Sequence, residues 1–142
     1  MPRSKQLDNL VRSGLLKEEP PARADIAGLI ESGRERLADA ENLDLRLSSR
    51  FDLAYGAAHA LASAALRLRE YRSEKRYIVF QVLSETLGLR AEEWRILSDA
   101  HDRRNRFEYD GNMDIERSVI SAIIRIAREM DTRLTRIELP PD

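Results

Sequence analysis

Apolar residues return along most of this chain about every 3.6 residues, the spacing that puts them on one side of an α-helix. Between Ser4 and Ser13, Leu7, Leu10 and Val11 hold that spacing and Gly14 follows, which predicts a short N-terminal helix. Leu15 through Pro21 breaks the pattern, because each of the two prolines lacks an N–H and pushes its predecessor out of the helical region. From Ala22 to about Ala40 the apolar positions are Ile26, Leu29, Ile30 and Leu37, and Gly28 and Gly33 supply small surfaces for close helix approach. Glu41-Asn42-Leu43-Asp44 closes this segment. Ser49 with Asp52 three residues on resembles a capping box, so the next helix is expected to start near Ser49. It carries Phe51, Ala54, Tyr55, Ala58, Leu61, Ala62, Ala65 and Leu68 on one face and reads as the central helix of the core.

Arg69 to Arg76 is a charged turn. Tyr77, Ile78, Phe80, Val82, Leu83 and Leu87 then form an amphipathic segment stopped by Gly88; its β-branched and aromatic content makes a strand the lesser alternative to a helix. Ala91-Glu92-Glu93 is an acidic first turn, after which Trp94, Leu97 and Ala100 carry a helix into the polar run His101 to Asp110, ended by Asp110-Gly111-Asn112. A last helix is expected from Asp114 to about Arg136 on Ile115, Val119, Ala122, Ile123, Ile126, Met130 and Leu134, and Pro140-Pro141-Asp142 forms a tail. The pattern predicts an all-α fold: an antiparallel bundle of four to five main helices plus a short N-terminal helix. Residues 1–21 form the N-terminal helix and connector, and residues 22–139 form a single bundle domain.

Composition narrows the function. The chain has 142 residues, 42% hydrophobic and 35% charged, the size of one ordinary domain. No run approaches the roughly 20 apolar residues that span a bilayer; the nearest, Ala54 to Leu66, contains His59. No apolar stretch follows the N-terminal charges as in a secretory signal, so a cytoplasmic location is expected. The absence of cysteine excludes disulfides, thiolate metal sites and cysteine nucleophiles, and with only two histidines no metal and no cofactor is expected. The formal net charge is -1, so any nucleic-acid binding must rest on a local patch.

The densest polar chemistry is His101-Asp102-Arg103-Arg104-Asn105-Arg106-Phe107-Glu108-Tyr109-Asp110. Helical periodicity sets His101, Arg104 and Glu108 close to one face with Asn105 at its edge, while Arg106 and Tyr109 share a neighbouring strip. Arginine carries a fixed charge on a planar fork of donors that matches phosphate oxygens, and asparagine adds neutral hydrogen bonds, so phosphate is the natural ligand class. The plainer alternative is a helix end enriched in cations that complement the macrodipole and pair with Glu93, Asp99 and Asp102 in solvent. Elsewhere the plain reading is favoured. His59 among alanines reads as an interior or interface histidine, Tyr55 and Tyr71 as core or dimer contacts, Trp94 as core, and the Arg67, Arg69, Arg72, Lys75, Arg76 group as a solvated turn diluted by Glu70 and Glu74.

Arg104-Asn105 followed by three residues and Tyr109 resembles the signature of HEPN domains, in which an arginine, often followed by asparagine, precedes a histidine by four to six residues. Arg50-Phe51-Asp52-Leu53-Ala54-Tyr55-Gly56-Ala57-Ala58-His59-Ala60-Leu61 is similar to the Tyr- and Ala-rich early helix of that family, and the order of helices agrees from about Ala22 to Leu134. The resemblance implies a helical bundle that dimerises and a metal-independent endoribonuclease, or a degenerate relative, of toxin–antitoxin or defence systems. It implies RNA or a nucleotide as ligand, with Arg103, Arg104 and Arg106 as the nucleic-acid-binding residues. It further implies catalytic roles at Arg104, Asn105 and Tyr109. Tyr109 stands where the family has histidine, and a phenol titrating near about 10 is a poor base at neutral pH; His101, one turn before Arg104, is the candidate replacement proton carrier. A homodimer is expected, since one arginine per chain is modest charge against a phosphate transition state and two copies would double it. The alternative expectation is a non-catalytic interaction module that partners an antitoxin or a nucleotidyltransferase-type protein.

Overall fold

A computed structural model describes residues 4–110 and 115–141, the side chains of 107–110 apart. The described residues form an all-helical bundle of seven helices with one minimal two-stranded ladder. Helix α1 spans Lys5–Arg12, capped by the Ser4 hydroxyl, which accepts from the Leu7 N–H at 3.4 Å. Leu7 of α1 and Leu16 beyond it are buried in the same core as the rest of the chain.

Helix α2 (Arg23–Ala40) and helix α3 (Leu47–Leu68) make the most extensive helix pair, and helix α7 (Arg117–Thr135) packs next most extensively on α3. Gly33 earns its place in α2: a Cβ there would lie 2.7 Å from Leu61 Cγ and 3.3 Å from the Ala57 carbonyl oxygen. Gly28 has open space at the same test and makes no such approach. Helix α3 starts at Leu47, two residues before the expected cap, so Ser49 and Asp52 lie inside the helix and the capping box does not form. The reason is Arg50, whose guanidinium is buried and whose Nε donates to the Ala40 carbonyl at 2.8 Å, tying the first turn of α3 to the end of α2. That bond satisfies both a buried cation and an orphan helix-end carbonyl.

The connector and the charged turn pair with each other. Strand β1 (Lys17–Glu18) runs antiparallel to strand β2 (Tyr71–Arg72), with Glu18 opposite Tyr71. The ladder is pinned from below: Leu16 and Tyr71 are buried, and the Tyr71 hydroxyl donates to Asp8 Oδ1 at 2.5 Å. Tyr71 is therefore an intrachain core residue.

The segment after the turn is helical but broken, into α4 (Arg76–Gln81) and α5 (Leu83–Thr86). Ile78, Val79, Phe80, Val82 and Leu83 are all buried, more than one face of a straight helix can cover, and the bend at Val82 lets the core reach them from two directions. Gly88 stops α5 at φ 71°, a left-handed conformation that suits glycine. Helix α6 (Ala91–Asp110) begins with the Glu93 carboxylate accepting from the Arg90 N–H at 3.0 Å, a bond that holds Glu93 below the usual carboxylate range. Helix α7 starts at Arg117, later than expected; Asp114 lies outside the described residues, and Ile115 packs on the core before the helix begins. No helix among the described residues is long and apolar enough to cross a membrane.

Candidate functional site

Tyr55 and His59 stand four residues apart on α3, one above the other on the face turned toward α4 and α6. Phe80 of α4 meets both rings edge-on, with centroids 5.8 Å from Tyr55 and 5.9 Å from His59. Around this aromatic floor the chain gathers its cations. Arg104 of α6 lies 5.4 Å from the Tyr55 ring centroid and Arg76, at the start of α4, lies 5.7 Å from it. Arg76 Nη1 also donates a long hydrogen bond, 3.5 Å, to the Tyr55 hydroxyl. From α2, Arg36 crosses α3 at Gly56, where a Cβ would fall 2.9 Å from its Nη1.

The two histidines are held differently. His101 lies nearly parallel to Tyr55, with rings 19° apart and centroids 6.3 Å apart, and both of its nitrogens are engaged. Nδ1 is 2.9 Å from the Tyr55 hydroxyl and Nε2 is 3.2 Å from Asn105 Nδ2. With the Asn105 amide as donor, Nε2 carries the lone pair and Nδ1 the proton, so His101 donates to the Tyr55 oxygen. His59 has no hydrogen-bond partner among the described residues.

Electrostatics keeps both imidazoles neutral at pH 7. Burial, then the charges of Arg76, His101, Arg104 and Arg36, pulls His59 down to about 4. His101 is also lowered, chiefly by burial and further by Arg76 and Arg104, while Asp102 pulls the other way. The cluster thus offers fixed positive charge on arginine beside uncharged imidazole.

Of the residues singled out in the sequence, the fold brings together His101, Arg104 and Asn105. Arg103 is partly exposed and Arg106 exposed, and the contacts that build the cluster run through Arg104 instead. The Tyr109 and Glu108 side chains lie outside the described residues. Sequence reasoning set aside Tyr55, His59 and Arg76, and it did not single out Arg36 at all. A signal existed for the first two, since Tyr55 and His59 are the only ring-bearing polar side chains on an otherwise alanine- and leucine-rich helix and stand one turn apart. Arg76 belonged to the basic group that the sequence offered and that was read as a solvated turn; for Arg36, whose approach depends on packing between helices, there was no signal. Among the described residues no group of three or more His, Asp or Glu side chains is placed to hold a metal ion. Comparison with protein-family models, with curated proteins and with solved structures finds no match to the chain.

Proposed function

We propose that this chain binds single-stranded RNA at the α3–α4–α6 face and cleaves it without a metal, as a HEPN-like domain of a toxin–antitoxin or defence system. The observation that carries the reading is the meeting of Arg76 and Arg104 at Tyr55, beside the Tyr55–His101–Asn105 hydrogen-bond chain. Guanidinium groups brought to one ring from separate helices form a set of charged donors that a phosphate can engage. A net charge near zero means that any attraction for RNA must come from a local group of cations such as this one. The cations of one chain already converge here, so the charge argument for a second copy is met within the protomer; a homodimer is retained as part of the reading because two such faces would lengthen the bound strand.

The test is fluorescence anisotropy and gel cleavage with a short single-stranded RNA. Arg104→Ala and Arg76→Ala should each weaken binding about ten- to a hundredfold, the size of a lost charge-assisted hydrogen bond, with Arg12→Ala as an exposed control on α1. The same salt dependence and affinity in wild type and both variants would sink the reading.

A second reading has its own observation. Ala27, Ile30, Leu134, Ile137 and Leu139 line a largely apolar groove of about 540 Å³ between α2 and the end of α7, edged by Glu31 and Arg34. Such a groove suits an antitoxin or nucleotidyltransferase-type partner, and loss of partner binding on Ile137→Asp with RNA affinity unchanged would favour an interaction module.

A further inference from the structure

Resting on the reading of this face as an RNA-cleaving site, we propose that His59 is its catalytic base, the group that takes the proton from the attacking ribose 2′-hydroxyl. The signature residue in α6 that would be expected to do this is a tyrosine, and His101, the other imidazole, has both nitrogens occupied by Tyr55 and Asn105. His101 is thereby a positioning residue that fixes the Tyr55 ring under Arg104. His59 differs in each respect. It is half-buried rather than sealed, its ring is held edge-on against Phe80, and among the described residues nothing hydrogen-bonds it. Tyr55, one turn before it on α3 and packed on the same Phe80 ring, carries Arg76 of α4, and His101 and Arg104 of α6, against its own ring, and Arg36 of α2 crosses α3 at Gly56; the charged and titratable groups that act on His59 are these same Arg36, Arg76, His101 and Arg104. A phosphodiester drawn to those guanidiniums is held within reach of a neutral imidazole lone pair.

The step balances without a co-reactant. The 2′-oxygen loses its proton to His59 and forms a bond to phosphorus as the phosphorus–5′-oxygen bond breaks. The 5′-oxygen takes a proton from water and the His59 imidazolium returns its own to solvent, leaving a 2′,3′-cyclic phosphate and a 5′-hydroxyl. Arg76 and Arg104 hold the charge that grows on the non-bridging oxygens. Burial is the first cause of the lowered His59 proton affinity and the arginines the next; a phosphate neutralises the arginines' share, so His59 gains proton affinity when substrate is bound.

The full chain is assayed with a short RNA and with its 2′-O-methyl counterpart, which can bind but cannot be cut. His59→Asn should cut at least about a hundredfold more slowly while binding the 2′-O-methyl strand within about threefold of wild type. Independently of any variant, the His59 ring signals in wild type, followed by NMR against pH, should move up by about one pH unit or more when the 2′-O-methyl strand binds. Wild-type cleavage that survives His59→Asn, or a His59 titration that the bound strand leaves unmoved, overturns the assignment and leaves the binding reading intact. A chain that binds no RNA, or binds without cutting, overturns the reading of the face and this role with it.

Discussion

Helix α3 does two unlike things on two sides. Toward α2 it presents Leu61 and the backbone at Ala57, closed so tightly on Gly33 that no side chain fits between. Toward α4 and α6 it presents Tyr55 and His59, and there the neighbours are Phe80, His101 and three arginines. The first side is close-packed, apolar and buried. The second gathers guanidinium groups at one ring and leaves His59 without a hydrogen-bond partner among the described residues. Charged donors and a ring with unused hydrogen-bonding capacity, set on a well-packed scaffold, mark the face on which binding energy is available.

The contrast breaks most sharply at Leu61. It is fully buried and fills the notch over Gly33, so Leu61→Ala leaves a cavity that two close-packed helices cannot collapse into. Urea unfolding should show a loss of about 3 kcal/mol, within the range for a buried leucine. Because the site is built on the other side of α3, the Tyr55–His101 hydrogen bond should persist under native conditions, seen as an unchanged His101 titration by NMR. Loss of that bond at full folding would mean the two sides are one cooperative unit rather than scaffold and site.

How much of this was legible beforehand follows the same division. The packed side could be read, because apolar periodicity is a local property and burial follows it: α2, α3 and α7 lie close to where the pattern put them, and Gly33 makes the expected close approach. The exceptions are long-range. Pairing of Lys17-Glu18 with Tyr71-Arg72 joins segments more than fifty residues apart, and the bend at Val82 arises because core waits on both sides of one short apolar run. The start of α3 was missed because a buried Arg50 outweighs a surface capping pair. On the polar side the contribution of α6 was read, as His101, Arg104 and Asn105 are neighbours in sequence, while the pairing of Tyr55 with His59 one turn apart on α3 was a signal passed over. His59 looked like an interior histidine, and half of that is so; what composition could not reveal is that Arg76 and Arg104 meet at the Tyr55 ring one turn away and that Arg36 crosses α3 at Gly56.

A medium-sized effect separates the two sides by pH. His59 titrates at about 4 in the fold and near about 6.5 in an unfolded chain, so the unfolded state binds more protons throughout the interval between them. Its contribution to stability is complete above about pH 6.5 and is lost as pH falls to 4, by on the order of 2 kcal/mol for a half-buried ring. Denaturant midpoints measured from pH 7 to pH 4 should fall less steeply in His59→Gln, which has no proton to gain. Parallel curves for the two proteins would place the acid sensitivity elsewhere.

The smallest expected effect is the most specific to the comparison. Gly56 lies on the polar side of α3, and the atom a Cβ would meet at 2.9 Å is the far end of Arg36, a flexible side chain rather than backbone. Gly56→Ala should therefore be tolerated, raising stability by up to about 1 kcal/mol through helix propensity, where the same change at Gly33 must push against Leu61 and the Ala57 carbonyl and destabilise. Displacing Arg36 also removes one of the charges that lower His59, so the His59 titration should rise by a few tenths of a pH unit in Gly56→Ala while that of His101, on which Arg36 has no such effect, stays in place. A shift of both histidines together would show that the alanine has moved α3 as a whole, and an unmoved His59 would show that Arg36 reaches it only weakly across the helix.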